Sequence, residues 1–514
     1  MCMKVSKNIL STLLFNSAIS NIICNSCCPK KYNKNKEKET EIDTSKNEED
    51  KKREEEGIKN KMQENLRKIN NVKEEKIKEE NIKEIISKNI NIEPPKGDKY
   101  YDELIKKMND GAEEGNTEKI KDIPVTGNDT GKGKAKYKSI LNEFKEDPKI
   151  GLDNIGATCY MNATLQCFSH IPRLVDYFKY KYNPKIKGES NLSSSFKLLI
   201  DNLWSKDSTE GHYAPRDFKE KISAMNALFA GVAANDSKDL VNFIIMTLHT
   251  ELNKSKSADE YNPAILDQRD SSKMFYTFAE NFTKSNRSII SDLFYGVNCN
   301  ITQCGSCGTQ SYNYQTYFFL VFPLEEVRRY NSAMYNSLYY YNTNPYYNYY
   351  CNQPMLYNIQ NNIVNIYDCF NYEAKINTMY ADNAMYCNYC KQTCQANMQT
   401  VLTIGPEVLI LILNRGQGIQ YDVKLLFNDT LDLTDYIHCK NLGTKYKLIG
   451  VITHLGSSDM GGHFIAYCKD PINGQFNGQW YRFNDAKVTP VTDFKKDVID
   501  FGMPYLLFYE KIKE

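Results

Sequence analysis

Cys159 stands directly after a Gly-Ala-Thr turn in GLDNIGATCYMNATLQCFSH, the stretch from Gly151 to His170. A thiol becomes a nucleophile when its thiolate is favoured, and a helix N-terminus favours it by aiming N–H groups and backbone dipoles at the sulfur. Gly156 permits the tight turn, and Met161, Leu165 and Phe168 form an apolar face that would bury the helix and fix the direction of the thiol. Asn154, five residues upstream, can turn its amide toward the same place, where an oxyanion forms during acyl transfer. Taken alone, these residues serve equally well as an ordinary helix start. Cys167, eight residues further on, reads as a core thiol.

A cysteine nucleophile requires a base, and the chain has six histidines. His170 lies eleven residues along the same helix, about 16 Å away, and cannot reach Cys159. His438 adjoins Cys439, but neighbours on a strand point to opposite faces. His212 sits in a polar turn, and His249 follows a helical stripe of Leu240, Phe243, Ile244 and Leu248. His454 and His463 share the block KLIGVITHLGSSDMGGHFIAYCKDPINGQFNGQWYRFNDAKVT, residues 447–489. His454 ends a strand, whereas His463 opens the next, behind Gly461 and Gly462, which would let a substrate backbone pass close to the ring. His463 is therefore the better base. Asn484 or Asp485, at the end of a Trp480–Phe483 strand, is placed to hydrogen-bond its second ring nitrogen and fix the tautomer.

Cys304 with Cys307 and Cys387 with Cys390 form two C-x-x-C knuckles, each able to bring two thiolates onto one metal. Four thiolates suit tetrahedral zinc, so a structural zinc site is expected, with Cys394 and Cys299 as nearby spares.

The elements around these residues predict an α+β fold, helices first and sheet second. Cys159 to Leu252 has helical periodicity; strands are expected at Tyr317–Phe322, Val408–Leu413, Leu448–Thr453, Phe464–Cys468 and Trp480–Phe483. Asn331 to Asn365, crowded with Asn and Tyr, reads as an inserted low-complexity loop. Residues 1–148 read as a charged tail, rich in Lys, Glu and Asn, and 149–512 as one folded domain. In the tail, Ile58, Met62, Leu66, Ile69 and Val72 predict a solvated helix or short coiled coil within 55–90.

With 65 basic and 64 acidic side chains among 514 residues, no overall field draws the chain to nucleic acid or anionic lipid. No basic residues interleave with the tyrosines, which argues against a base-stacking surface. Asn8–Cys24 is interrupted by polar residues and shorter than the roughly 20 apolar residues of a spanning helix, so no firm membrane association is expected. Scattered cysteines in C-x-x-C pairs suit a reducing compartment, cytoplasmic or nuclear, and a monomer is expected.

GLDNIGATCYMNATLQ, GGHFIAY with WYRFND, and the terminal PYLLFYEK together resemble the ubiquitin-specific proteases, papain-like cysteine deubiquitinases, over Gly151 to Lys511. The resemblance implies a right-hand architecture: a helical thumb, a β palm and zinc-stabilised β fingers, with the Asn/Tyr-rich insertion in the fingers. It implies Cys159 as nucleophile, His463 as general base, Asn484 as the residue orienting it and Asn154 as oxyanion donor, with Asp485 supporting or substituting. Ubiquitin or ubiquitinated proteins would be the partners, and isopeptide or peptide bonds at the C-terminal glycine of ubiquitin the substrate. A non-catalytic ubiquitin-binding scaffold of the same fold is the alternative. ANDSKDLVNF (234–243) and LILNRGQG depart from the family pattern, which bears on ubiquitin contacts rather than on hydrolysis.

Overall fold

The computed structural model describes residues 138–184, 191–206, 211–255, 267–341, 362–415, 422–456, 462–472 and 478–512. The expected helix within 55–90, its Ile58-to-Val72 stripe and the Asn8–Cys24 segment lie outside them.

Strand β11 (Val408–Asn414) reads VLILILN, an apolar run broken only at its last residue. Val408, Ile410 and Ile412 enter one hydrophobic core, and Leu409, Leu411 and Leu413 enter another. A sheet covered on both faces requires such strands, because alternate side chains point to opposite sides. β18 (Met503–Lys511) repeats the pattern, with Leu506 and Phe508 on one side and Leu507 and Tyr509 on the other. These two are neighbours in the interior of the palm sheet. Its order is β17 (Lys487–Pro490), β16 (Trp480–Asn484), β15 (His463–Lys469), β14 (Lys445–Leu455), β18, β11 and β5 (Leu320–Pro323), with β13 (Thr430–Asp432) also on β14. All neighbours are antiparallel except β5 beside β11.

The inner face of the palm carries the thumb. Helix α1 (Ile140–Glu143) precedes α2 (Cys159–Ser169), in which every residue is buried, and α2 packs with α4 (Leu192–Leu203), α5 (Arg216–Met225) and α6 (Ser237–Leu252). The short α3 (Pro172–Asp176) follows α2 directly. Met161, Leu165 and Phe168 are in this core, as are Leu240, Ile244 and Leu248, as their spacing predicts. Helix α2 can approach the sheet closely because β14 has Gly450 beneath it: a Cβ there would lie 3.1 Å from Cys167 Sγ. Cys167 is a core thiol, 4.0 Å from Cys468.

The fingers are a separate sheet ordered β4 (Gln310–Tyr317), β3 (Gly296–Cys304), β10 (Ala396–Ile404) and β7 (Asn377–Met379). Helix α7 (Ser271–Ser285) buries Met274, Phe275 and Phe278 against it. The expected Tyr317–Phe322 strand is divided, since β4 ends at Tyr317 and β5 begins at Leu320. Between them Phe318 and Phe319, rings 4.7 Å apart, mark the change from fingers to palm.

Two expectations about boundaries are corrected. Residues 331–365 are not simply a loop in the fingers. They begin inside α9 (Leu324–Tyr341) and end in β6 (Ile363–Asn365), which pairs with β12 (Lys424–Leu426). Leu324, Val327, Val364 and Ile366 belong to the core on the outer face of the palm, so the insertion is rooted there; residues 342–361 lie outside the described residues. The folded part also begins upstream of 149. Ile140 and Phe144 are buried in the thumb core, and Phe144 packs edge-on against Trp204 with centroids 5.3 Å apart. Ser139 Oγ and the Ile140 N–H both donate to Asp176, at 2.7 and 2.8 Å. Polar composition hid this strap, because two aromatic or aliphatic anchors suffice to dock a segment otherwise rich in charge.

Candidate active site

The turn before α2 is built by Asn154. Its Oδ1 accepts the Thr158 N–H at 3.0 Å and the Gly156 N–H at 3.3 Å, closing the chain into a tight loop. Gly156 takes φ +125° and Ala157 φ +47°, so the residues leading to the thiol hold backbone conformations that L side chains resist. Cys159 then opens the helix, 6% exposed.

The environment of the thiol reverses one expectation. Burial pushes the Cys159 thiol up, and the nearby Asp485 carboxylate pushes the same way. The Phe464 N–H and those of Tyr160 and Cys159 itself act in the opposite direction without prevailing. The helix start does aim N–H groups at the sulfur, but desolvation outweighs them.

His463 opens β15 as expected, and β15 packs against α2, the helix that Cys159 opens. His463 Nε2 is 2.6 Å from Asn484 Oδ1 at the end of β16. A carbonyl oxygen only accepts, so Nε2 carries the proton and Nδ1 is left as the basic nitrogen. Of the two residues left open as its partner, Asn484 bonds the ring, and the Asp485 carboxylate stays 3.9 Å from Nε2.

Asp485 instead serves two amides. Its Oδ2 accepts from Asn154 Nδ2 at 3.0 Å and its Oδ1 from Asn162 Nδ2 at 2.8 Å. It occupies the two-residue turn between β16 and β17 with φ +50°, where Asp is among the few residues tolerated. The Leu152 N–H bonds the Asp485 carbonyl at 3.0 Å, so β1 (Gly151–Leu152) carries this turn. Gly151 makes the approach possible: a Cβ would meet Ala486 O at 2.3 Å.

Sequence reasoning missed Asn162, one turn along α2 from Cys159 and 2% exposed. The available signal was a polar stripe, Asn162, Gln166 and Ser169, at helical spacing beside the apolar face of Met161, Leu165 and Phe168. At Gly462 the position a Cβ would take is occupied by the His454 ring, 2.0 Å from Nε2, so that ring requires a glycine there. His454 is the penultimate residue of β14, and burial lowers its pKa. His170 is buried with Asp147, Nε2 to Oδ2 3.0 Å, and is remote in role as well as in sequence. His212 pairs with β1 through β2 (His212–Tyr213) and bonds Asp153 at 2.9 Å, so it is not in a turn.

The departures from the family pattern are structural parts. Asp236 caps α6 through the Lys238 N–H at 2.9 Å and accepts from Tyr505 Oη at 2.6 Å. Arg415 is buried and its guanidinium donates to the carbonyls of Pro504 and Val423.

At the far end of the fingers, the sulfurs of Cys304, Cys307, Cys387 and Cys390 all lie within 4.8 Å of one another. Cys304 and Cys390 are 3.8 Å apart, Cys307 and Cys387 3.9 Å. Four sulfurs about 2.3 Å from one tetrahedral centre would be about 3.8 Å apart, so the group could hold a metal ion. Cys394 is not in this group, and its Sγ faces the Gln392 carbonyl.

The fold has known counterparts. A chain of the SAGA DUB module bound to monoubiquitin superposes with a TM-score of 0.51 at 20% identity, covering 72% of this chain and 70% of that one. Ubiquitin carboxyl-terminal hydrolase 2 of Rattus norvegicus is 26% identical over 384 residues, and that of Homo sapiens 26% over 401. These alignments take in 73% and 74% of this chain and 56% and 60% of the relatives, so the chain spans little more than half their length. The family model for ubiquitin carboxyl-terminal hydrolase matches residues 150–509, from the strand beneath the Asp485 turn to the last palm strand, and the chain belongs to that family.

Proposed function

We propose that this protein is a thiol-dependent deubiquitinase that cleaves isopeptide or peptide bonds at the C-terminal glycine of ubiquitin. One observation carries the reading: α2, which Cys159 opens, packs against β15, which His463 opens, and His463 is held 2.6 Å from Asn484. His463 Nδ1 takes the thiol proton, and Cys159 Sγ attacks the glycine carbonyl carbon. Asn154 has one Nδ2 hydrogen engaged by Asp485, and the second stabilises the oxyanion together with backbone N–H groups. The imidazolium gives its proton to the departing lysine amine as the C–N bond breaks, leaving a thioester. Water then adds, His463 takes its proton, and the ubiquitin carboxylate is released with the thiol restored.

The burial of the thiol fits proton transfer within a closed complex rather than a standing thiolate. The four cysteines of the fingers hold a single structural zinc, which cross-links the two knuckles and takes no part in the reaction. Reduced thiols at both sites suit a cytoplasmic or nuclear setting. Ubiquitin carrying a fluorogenic amide at its C-terminus tests the proposal: turnover is expected, with its abolition in Cys159→Ala. Ubiquitin binding without turnover in the unaltered protein would favour a non-catalytic scaffold instead.

A further inference from the structure

Three segments meet at one side-chain amide, two of them within ten residues of each other and the third 323 residues downstream of the amide. Asn162 lies on α2, three residues after the thiol. Its Nδ2 is 3.2 Å from Leu152 O and 3.1 Å from Asp153 O, in the strand that leads to Asn154. The same nitrogen is 2.8 Å from Asp485 Oδ1, in the turn directly after Asn484. One NH2 group thus ties together the nucleophile helix, the oxyanion loop and the hairpin that holds the imidazole. Its shortest bond goes to the carboxylate whose other oxygen holds Asn154 Nδ2.

Asn162 Oδ1 is buried and has no hydrogen-bond partner among the described residues. Such an atom is destabilising, so fold stability alone does not account for an asparagine at this position. The donors of the amide do account for it. Asp485 sits in a left-handed turn with one oxygen on Asn154 and lies 3.9 Å from His463 Nε2. Released from Asn162, the carboxylate could rotate toward the ring, giving up its hold on Asn154 and competing with Asn484 for the imidazole proton.

We propose that Asn162 is a positioning residue that acts through Asp485, fixing the oxyanion amide of Asn154 and keeping the carboxylate off His463. This inference rests on the hydrolase reading above and names a residue which that reading does not need. Its effect belongs to the transition state, so it falls on kcat and leaves KM for ubiquitin substrates nearly unchanged.

The test is a double-mutant cycle with Asp485 on the full chain, read with the ubiquitin fluorogenic amide. Asn162→Ala is expected to lower kcat about 100-fold, the scale of an angstrom-level misplacement of reacting groups, with KM within about threefold. In an Asp485→Ala background the same substitution should cost less than about threefold, because the partner through which it acts is gone. Asn162→Asp should be worse than alanine, since its carboxylate would face Asp485 and two carbonyls; a merely space-filling role would make this near-isostere the mildest change. Thermal melting of the same preparations shows whether they fold, and Asn162→Ser, which keeps one donor, enters the cycle if the alanine variant does not.

Equal losses with and without Asp485, or an Asp variant more active than the Ala variant, would overturn the inference. An unaltered protein that does not turn over the amide would instead end the hydrolase reading itself.

Discussion

His463 Nε2 lies 2.6 Å from Asn484 Oδ1, and the carboxylate one residue further on is held 3.9 Å away. The imidazole is oriented by a neutral amide, while the negative charge of Asp485 is given to Asn154 and Asn162. Orientation and charge are separated between two adjacent side chains because Asn484 ends the strand and Asp485 enters the turn with a left-handed φ, which sends its carboxylate in another direction. Asn484→Ala should therefore lower kcat by about 100-fold with little change in KM, as steady-state kinetics on the ubiquitin amide would show. A loss confined to KM would contradict the orienting role.

Because burial raises the Cys159 pKa, the uncharged thiol predominates in the resting protein at neutral pH. The rate of Cys159 alkylation by iodoacetamide should still be climbing beyond about pH 8.5, the ordinary thiol value. Asp485→Asn removes a charge that disfavours the thiolate, so it should speed alkylation at pH 7. A rate already level below pH 7 would show that the thiolate is preformed.

Gly151→Ala places a methyl group 2.3 Å from Ala486 O, against backbone that cannot swing aside. The turn bearing Asp485 must shift, and a loss of about 1–3 kcal/mol in urea unfolding is expected along with most of the activity. Wild-type kinetics in this variant would mean that the turn is more compliant than its contacts with β1 imply.

Asp147 is a stability site. Burial by itself raises its pKa, but the charge and hydrogen bond of His170, with Lys149 beside it, more than offset this and hold the carboxyl below its ordinary value. A depressed carboxyl pKa contributes stability that is present above the unfolded value, about pH 4, and lost as pH falls through the folded one. Asp147→Asn should remove about 3 kcal/mol at pH 7, as breaking a buried pair does, and flatten the acid limb of the urea midpoint. Removing residues 1–148 should destabilise at least as much, since Ile140 and Phe144 leave with the aspartate.

Elemental analysis should find one zinc per chain, falling on Cys307→Ser. Chelation should expose β3 and β10 to hydrogen exchange while β14 and β15 stay protected, because the cluster lies at the end of a separate sheet. Loss of protection throughout the palm would show the two sheets to be one cooperative unit.

Local chemistry was legible along the chain. Gly156 before Cys159, the C-x-x-C pairs and the unbroken VLILILN strand each follow from turn geometry, metal spacing or burial on two faces, and none of these needs a distant partner to be recognised. Relationships across hundreds of residues were not. Only packing decides that desolvation outweighs the helix start at Cys159, that Asp485 faces two amides instead of the imidazole, and that Asn162 gathers three segments. Such outcomes depend on how deeply a group is buried and which side of a turn it leaves, and both are set when helix, strap and hairpin close on one another.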